Sequence, residues 1–237
     1  MPWWRSLRQR RVEPELMDQP ELDAAQHDVA LTGLSRINAW SGSARILWPE
    51  IAALARRLHP ASLRVLDVAT GGGDVPIRLW KRARRHGLNL QLEGCDRSRV
   101  AVAHAQRRAA AVGADVNFAV RDAVAEPLPE GFDVVTCSLF LHHLGPAQAV
   151  ALLRAMRGAA RHLLLVNDLR RSTAGWWFAC VGTRVLTRSP VVHVDGPRSV
   201  AAAFTCAEAL ALAHDAGLSG ATVARRWPFR FQLKWQP

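Results

Sequence analysis

The stretch Val65-Leu66-Asp67-Val68-Ala69-Thr70-Gly71-Gly72-Gly73-Asp74 decides the fold. Residues 63–68 form a short apolar run, rich enough in β-branched side chains to read as a buried strand. A glycine-rich turn follows, and apolar residues then recur at helical spacing over 75–86. Glycines in such a turn allow positive φ and let a ligand approach the backbone, and the N–H groups that open a helix attract polar or anionic groups. The nicotinamide-type Gly-x-Gly-x-x-Gly fingerprint does not fit, because its frame here reads Ala69-x-Gly71-x-x-Asp74.

Outward from this unit the pattern repeats. Strands are expected at 88–94, leading into Cys95-Asp96, and at 116–120, 132–138 and 162–167. Helices are expected between them, one beginning after Ser98 as a cap and running to about 112, the other over 146–159. Strands alternating with helices at this spacing predict right-handed crossovers and an α/β, doubly wound, mostly parallel Rossmann-like sheet. Upstream, 21–40 and 44–58 carry helical stripes; downstream, helices near 173–187 and 206–216 precede a strand pair at 221–226 and 229–233. The expected organisation is an N-terminal arm and cap helix (1–43) and a main domain (44–237), with 172–205 inserted after strand five as an acceptor-side lid.

Composition narrows the function. The 237 residues suffice for one domain with a full core. Four widely spaced cysteines contain no CxxC pair, which argues against a zinc knuckle or a disulfide framework and for a cytoplasmic setting. No run reaches transmembrane length, although Trp3-Trp4 beside several arginines would suit peripheral contact with a membrane. The net charge of +11 invites a nucleic-acid reading, but only Lys81 and Lys234 are lysines and the arginines are spread along helices and arms. The charge therefore reads chiefly as composition on solvated faces, and a small-molecule partner is favoured over nucleic acid.

The loop resembles the acidic-x-Gly-x-Gly-x-Gly element of class I S-adenosylmethionine-dependent methyltransferases: Asp67, Gly71 and Gly73 match, and Ala69 stands for the first glycine. The resemblance spans roughly residues 60–170. It implies S-adenosyl-L-methionine as cofactor, with Asp96 on the ribose hydroxyls and Asp122 on the adenine amino group. Arg97, Ala123 and Ser138 would lie beside it, and Arg36 would pair with the methionine carboxylate. Each Asp taken alone reads rather as a cap or turn former; their order along the chain, together with the glycines, favours the cofactor.

The fourth strand runs into Thr136-Cys137-Ser138-Leu139-Phe140-Leu141-His142-His143-Leu144. It lacks the Asn/Asp-Pro-Pro-Tyr/Phe of amino-group methyltransferases and the Pro-Cys of cysteine-dependent RNA enzymes. Metal-dependent catechol enzymes need an Asp here, and Asn167-Asp168 echoes their second acidic pair only in reversed order, so no metal ligands are expected. The double histidine and the Asp-Val-Ala-x-Gly-x-Gly-Asp loop are similar to the ubiquinone and menaquinone biosynthesis methyltransferases. A narrower likeness, to small methyltransferases of secondary metabolism associated with type III polyketide synthases, rests on the Pro14–Asp18 arm and the segment 195–204.

This group implies transfer to the oxygen or ring carbon of an apolar phenolic, quinol or polyketide-derived acceptor. His143 or His142 would be the base, with slight preference for His143. His193, Asp195 and Arg198, read as one polar loop, and Trp176 are candidate acceptor contacts. An RNA methyltransferase steered by the basic surface and a non-catalytic cofactor-binding protein stay open as alternatives.

Overall fold

The structure is a computed structural model and describes residues 7–16, 29, 42–59 and 61–237. The helix expected over 21–40, with Arg36, and the Trp3-Trp4 arm lie outside these residues, apart from Val29.

After α1 (Ser43–Leu58), strands and helices alternate: β1 (Leu63–Val68), α2 (Asp74–Arg85), β2 (Leu90–Asp96), α3 (Arg99–Ala111), β3 (Val116–Val120) and β4 (Phe132–Ser138). A 3-10 turn (Leu141–His143) leads to α4 (Pro146–Ala159) and β5 (Ala160–Leu169). The last third holds α5 (Thr173–Leu186), α6 (Pro190–Ala202), α7 (Cys206–Asp215), β6 (Thr222–Arg226) and β7 (Arg230–Trp235).

Seven strands form one sheet in the order β3-β2-β1-β4-β5-β7-β6. β1 to β5 are parallel, and β7 inserts antiparallel between β5 and β6. Period two along the strands sorts side chains to two cores. Val65, Val134 and Leu165 face α1 and α2, while Leu66, Val135 and Leu164 face α4 and α7. Burial on both faces explains why these strands read as continuous apolar runs.

Strand order reverses between β1 and β4, the switch point where ligands of such sheets bind beyond the carboxyl ends of the strands. Element ends match the sequence expectations closely, with one difference. The segment expected as a polar loop around 190–200 is the helix α6. Ser189 caps it by accepting from the Val192 N–H, and Pro190 occupies the first turn, where a missing N–H costs nothing. Gly196 and Pro197, which suggested a turn, sit mid-helix. A Cβ on Gly196 would lie 2.6 Å from Thr183 Cγ2, so the glycine is there for the close crossing of α5 and α6.

Candidate active site

The carboxyl ends of β1, β2 and β4 open into a cavity of about 760 Å³. One half of its wall is the glycine loop and the strand ends. Asp67, Ala69, Gly71, Asp96, Arg97, Asp122, Ala123 and Ser138 all line it.

The loop is pinned from beneath. Asp67 is buried and accepts hydrogen bonds from Thr70 Oγ1 (2.8 Å) and Thr136 Oγ1 (2.7 Å). Burial pushes its carboxyl up to about 7, with the two threonine hydroxyls pulling the other way. Asp67 thus shapes the loop as well as bordering the cavity. Thr70 N–H donates to the Cys95 carbonyl, tying the loop to the next strand.

The two glycines divide the labour. At Gly71 (φ +53°) a Cβ would meet nothing within 4 Å, so its exposed backbone faces the open cavity. Gly73 (φ +71°) does not line the cavity; a Cβ there would lie 2.8 Å from Ala105 and from Phe118. Its absence of side chain lets the start of α2 pack on α3 and β3.

Asp96 accepts from Gly71 N (2.8 Å) through one carboxylate oxygen and from Ser98 N (2.9 Å) through the other. A carboxylate offers about four lone-pair sites, so room for two hydroxyl donors remains. Asp122 caps its own turn by accepting from Val124 N and Ala125 N while bordering the cavity. Ser138 Oγ is buried with no hydrogen-bond partner, and Asn167, opposite it in the β4–β5 register, has both amide atoms in the same condition. Neighbouring orphaned polar groups beneath a cavity are what a bound polar ligand or water relieves. Cys95 and Cys137 are buried thiols pushed above their ordinary value by desolvation, which suits packing and not nucleophilic attack.

The other half of the wall joins the 3-10 turn, α5, α6, the turn before β7 and the N-terminal arm. His142 is buried. Its Nδ1 lies 2.6 Å from Asp168 Oδ1, and its backbone N–H donates to Asp168 Oδ2 at 3.0 Å. Burial draws the His142 pKa down, but the charge and hydrogen bond of Asp168, with Glu15 beyond, outweigh it and leave the imidazole above its ordinary value. Asp168 moves the opposite way: burial would raise it, and His142 with two backbone N–H groups holds it below the usual carboxylate range. The ring of His143 stands 4.2 Å from that of His142 and is more exposed to the cavity. Burial and the neighbouring His142 charge bring His143 down to about 3, so it stays neutral at ordinary pH.

Glu15 Oε1 completes the group, 3.9 Å from His142 Nε2 and 3.9 Å from His143 Nδ1, and it accepts a hydrogen bond from Ser199 Oγ. The three donor atoms lie within 4.8 Å of one another, a set whose chemistry would also suit a borderline divalent cation and which the sequence did not disclose. Arg230, fully buried, lines the cavity and donates to Ser43 Oγ; burial brings its guanidinium down to about 10.

The four acceptor-side residues read from the sequence do not line this cavity. His193 folds back with Nε2 2.8 Å from the Thr187 carbonyl. Asp195 is buried and accepts from Leu16 N, while Arg198 reaches the Pro14 carbonyl and Glu13. Trp176 packs edge-on against Trp177 and borders a separate depression with Leu7 and Pro197. Once 190–202 is helical, Asp195 and Arg198 become the face that holds the arm. Arg10 tightens the same junction, donating to the carbonyls of Ala202 and His142 and lying over the Phe204 ring. The apolar side chains that line this half are instead Phe178, Ala179, Leu186, Val192, Val200 and Phe229.

Comparison with known proteins fits this geometry. Residues 65–162 match the family model described as a methyltransferase domain. This stretch is a methyltransferase domain. A demethylmenaquinone methyltransferase of Thermus thermophilus is 41% identical over 80 residues, 33% of this chain and 34% of that protein. A ubiquinone biosynthesis O-methyltransferase of Pseudomonas fluorescens is 28% identical over 136 residues, 56% of this chain and 55% of that protein. These matches span between a third and just over half of the relatives' own length.

Among solved structures, magnesium protoporphyrin IX methyltransferase from Synechocystis PCC 6803 with bound SAH superposes with a TM-score of 0.56 at 19% identity. The alignment covers 92% of this chain and 89% of that one. Outside the stretch matched by the methyltransferase domain model, that likeness extends the class I fold to the helices and strands of the last third.

Proposed function

We propose that this chain transfers a methyl group from S-adenosylmethionine to an oxygen, or an activated ring carbon, of a small apolar phenolic or quinol-like acceptor. The single observation that carries the reading is one cavity in which the glycine loop and Asp96 face the His142–Asp168 pair. The names of the curated relatives support the quinol-like class of acceptor.

The residues present suit the cofactor. The open space over Gly71, the lone pairs left on Asp96 and the orphaned Ser138 hydroxyl offer a close backbone approach, a hydroxyl acceptor and a further polar contact. When bound, S-adenosylmethionine supplies an electrophilic methyl group on a sulfonium.

The chain's own work is then to position an acceptor oxygen, exclude water and remove a proton. A phenol with an ordinary pKa near 10 is mostly neutral at pH 7. His142 is the better base of the two. Asp168 holds its Nδ1–H, which leaves Nε2 to accept the acceptor's proton, and the Asp168 carboxylate balances the positive charge that results. His143, held down to about 3, is a weak proton acceptor and serves as wall and positioning group. The apolar side chains of α5 and α6 surround the acceptor's ring.

Incubation with methyl-labelled cofactor and a panel of phenols, quinols and an apolar cell extract tests the proposal. Label in an apolar small molecule is the expected result. Binding of cofactor without any transfer, or transfer to RNA, would overturn it.

A further inference from the structure

α5 is apolar on two sides. Its inner side, with Phe178, Ala179 and Leu186, walls the acceptor half of the cavity. Its outer side carries Trp177 (54% exposed), Val181 (61%) and Val185 (76%) at positions i, i+4 and i+8. A helix on the surface of a globular protein ordinarily turns polar residues outward. Trp227, 61% exposed, lies in the turn before β7, and the same turn meets α5 through the Phe178–Phe229 ring contact at 5.3 Å. The stretch of chain that carries this face has charge of one sign. No Asp or Glu occurs between Leu169 and Val194, nor after Asp215, while Arg184 and Arg188 stand exposed at the end of the helix and just beyond it.

We propose that the outer face of α5 docks on an anionic lipid bilayer surface. Valines set among exposed arginines, with an indole at one end, match an interfacial helix whose apolar side enters the headgroup–acyl boundary by roughly 5–10 Å. Arg184 and Arg188 meet anionic headgroups, and Trp177 takes the interfacial position that indoles favour. A second copy of this chain is the poorer occupant. A twofold contact through this face would set Arg184 and Arg188 of both copies against each other, with no acidic residue on α5 or in the turn after it to balance them. Docking would also bring the wall between cavity and solvent against lipid, giving an apolar acceptor a path that avoids water; this last step rests on the function proposed above. No helix among the described residues is long and apolar enough to cross a membrane, so the contact is peripheral.

Sedimentation of the full chain with vesicles tests the docking. Phosphatidylcholine vesicles containing about 30% phosphatidylglycerol should bind it, pure phosphatidylcholine should bind it far less, and added salt should release it. The paired substitution Val181→Asp/Val185→Asp, at two exposed positions outside the cavity wall, should lower the partition coefficient at least about tenfold. Its melting temperature and its affinity for S-adenosylmethionine should be retained. Failure of the wild type to sediment with anionic vesicles at low salt overturns the proposal. So does equal binding by the variant, or a wild-type dimer in light scattering that the variant converts to monomer. Loss of methyl transfer with vesicle binding intact would sink the proposed function and leave the docking standing.

Discussion

The two halves of the cavity wall are built in different ways. The half proposed for the cofactor comes from consecutive strand ends: Asp67, Gly71, Asp96 and Asp122 lie within 56 residues, Asp67 and Asp96 at the ends of β1 and β2, Gly71 and Asp122 just past β1 and β3. The half proposed for the acceptor is assembled from distant pieces. Glu15, His142, Asp168, Phe178 and Phe229 come from the arm, the 3-10 turn, β5, α5 and the turn before β7. Asp168 itself is on the interior side of the pair and acts through His142. The first half is fixed by strand ends and the side-chain hydrogen bonds that pin the loop between them, whereas the second depends on side chains meeting from segments far apart in the chain. Substitutions should therefore separate the two halves cleanly.

The largest expected effect is on the acceptor side. His142→Ala should lower kcat by about 10²–10⁴-fold, the usual worth of a positioned base, with cofactor affinity by calorimetry unchanged. An unaltered kcat would remove His142 from the chemistry. Asp96→Ala should act on the other half. It removes a charged acceptor and frees Gly71 N and Ser98 N, and affinity for S-adenosylmethionine should fall on the order of 100-fold.

Gly196→Ala places a methyl where only 2.6 Å separates it from Thr183 Cγ2. Overpacking of this kind costs about 1–3 kcal/mol. It should raise the acceptor KM and lower the melting temperature by several degrees while leaving cofactor binding intact. If cofactor binding fell equally, the two halves would not be separable.

The smallest effect is on pH. The folded pKa of His142 stands above its ordinary 6.5, so its share of stability is complete below about 6.5 and is lost as pH rises through the folded value. Asp168 stands below its ordinary 3.8; its share is present above that value and is lost as pH falls through the folded one. Stability from the pair is greatest between about 4 and 6.5. His142→Gln should flatten the decline in melting temperature above that window. The same titration should make wild-type kcat rise with pH, since only neutral His142 accepts a proton.

The contrast also explains what the amino-acid sequence disclosed. Seven strands, their helices and the eight cavity-lining cofactor candidates were legible because hydrophobic period and glycine chemistry are local signals. Gly73, expected to hold the cofactor, does not line the cavity; its place is set by packing against Ala105 and Phe118. The polar loop around His193 was misread because Gly196 and Pro197 look like turn residues. The demand for Gly196 comes from α5, whose Thr183 is thirteen residues away. Glu15 and Asp168 belonged to segments the sequence had marked, Pro14–Asp18 and Asn167-Asp168, yet nothing local tells that they bracket one imidazole.

Ala69 holds φ +53°, a left-handed conformation that costs a side-chain-bearing residue roughly 1–2 kcal/mol. It persists because Thr70, Asp67 and the Cys95 carbonyl determine the path of the loop on either side. A loop held this firmly by its neighbours has already surrendered its freedom before any ligand arrives. A ligand that binds there therefore does not have to bear the entropy of ordering the loop.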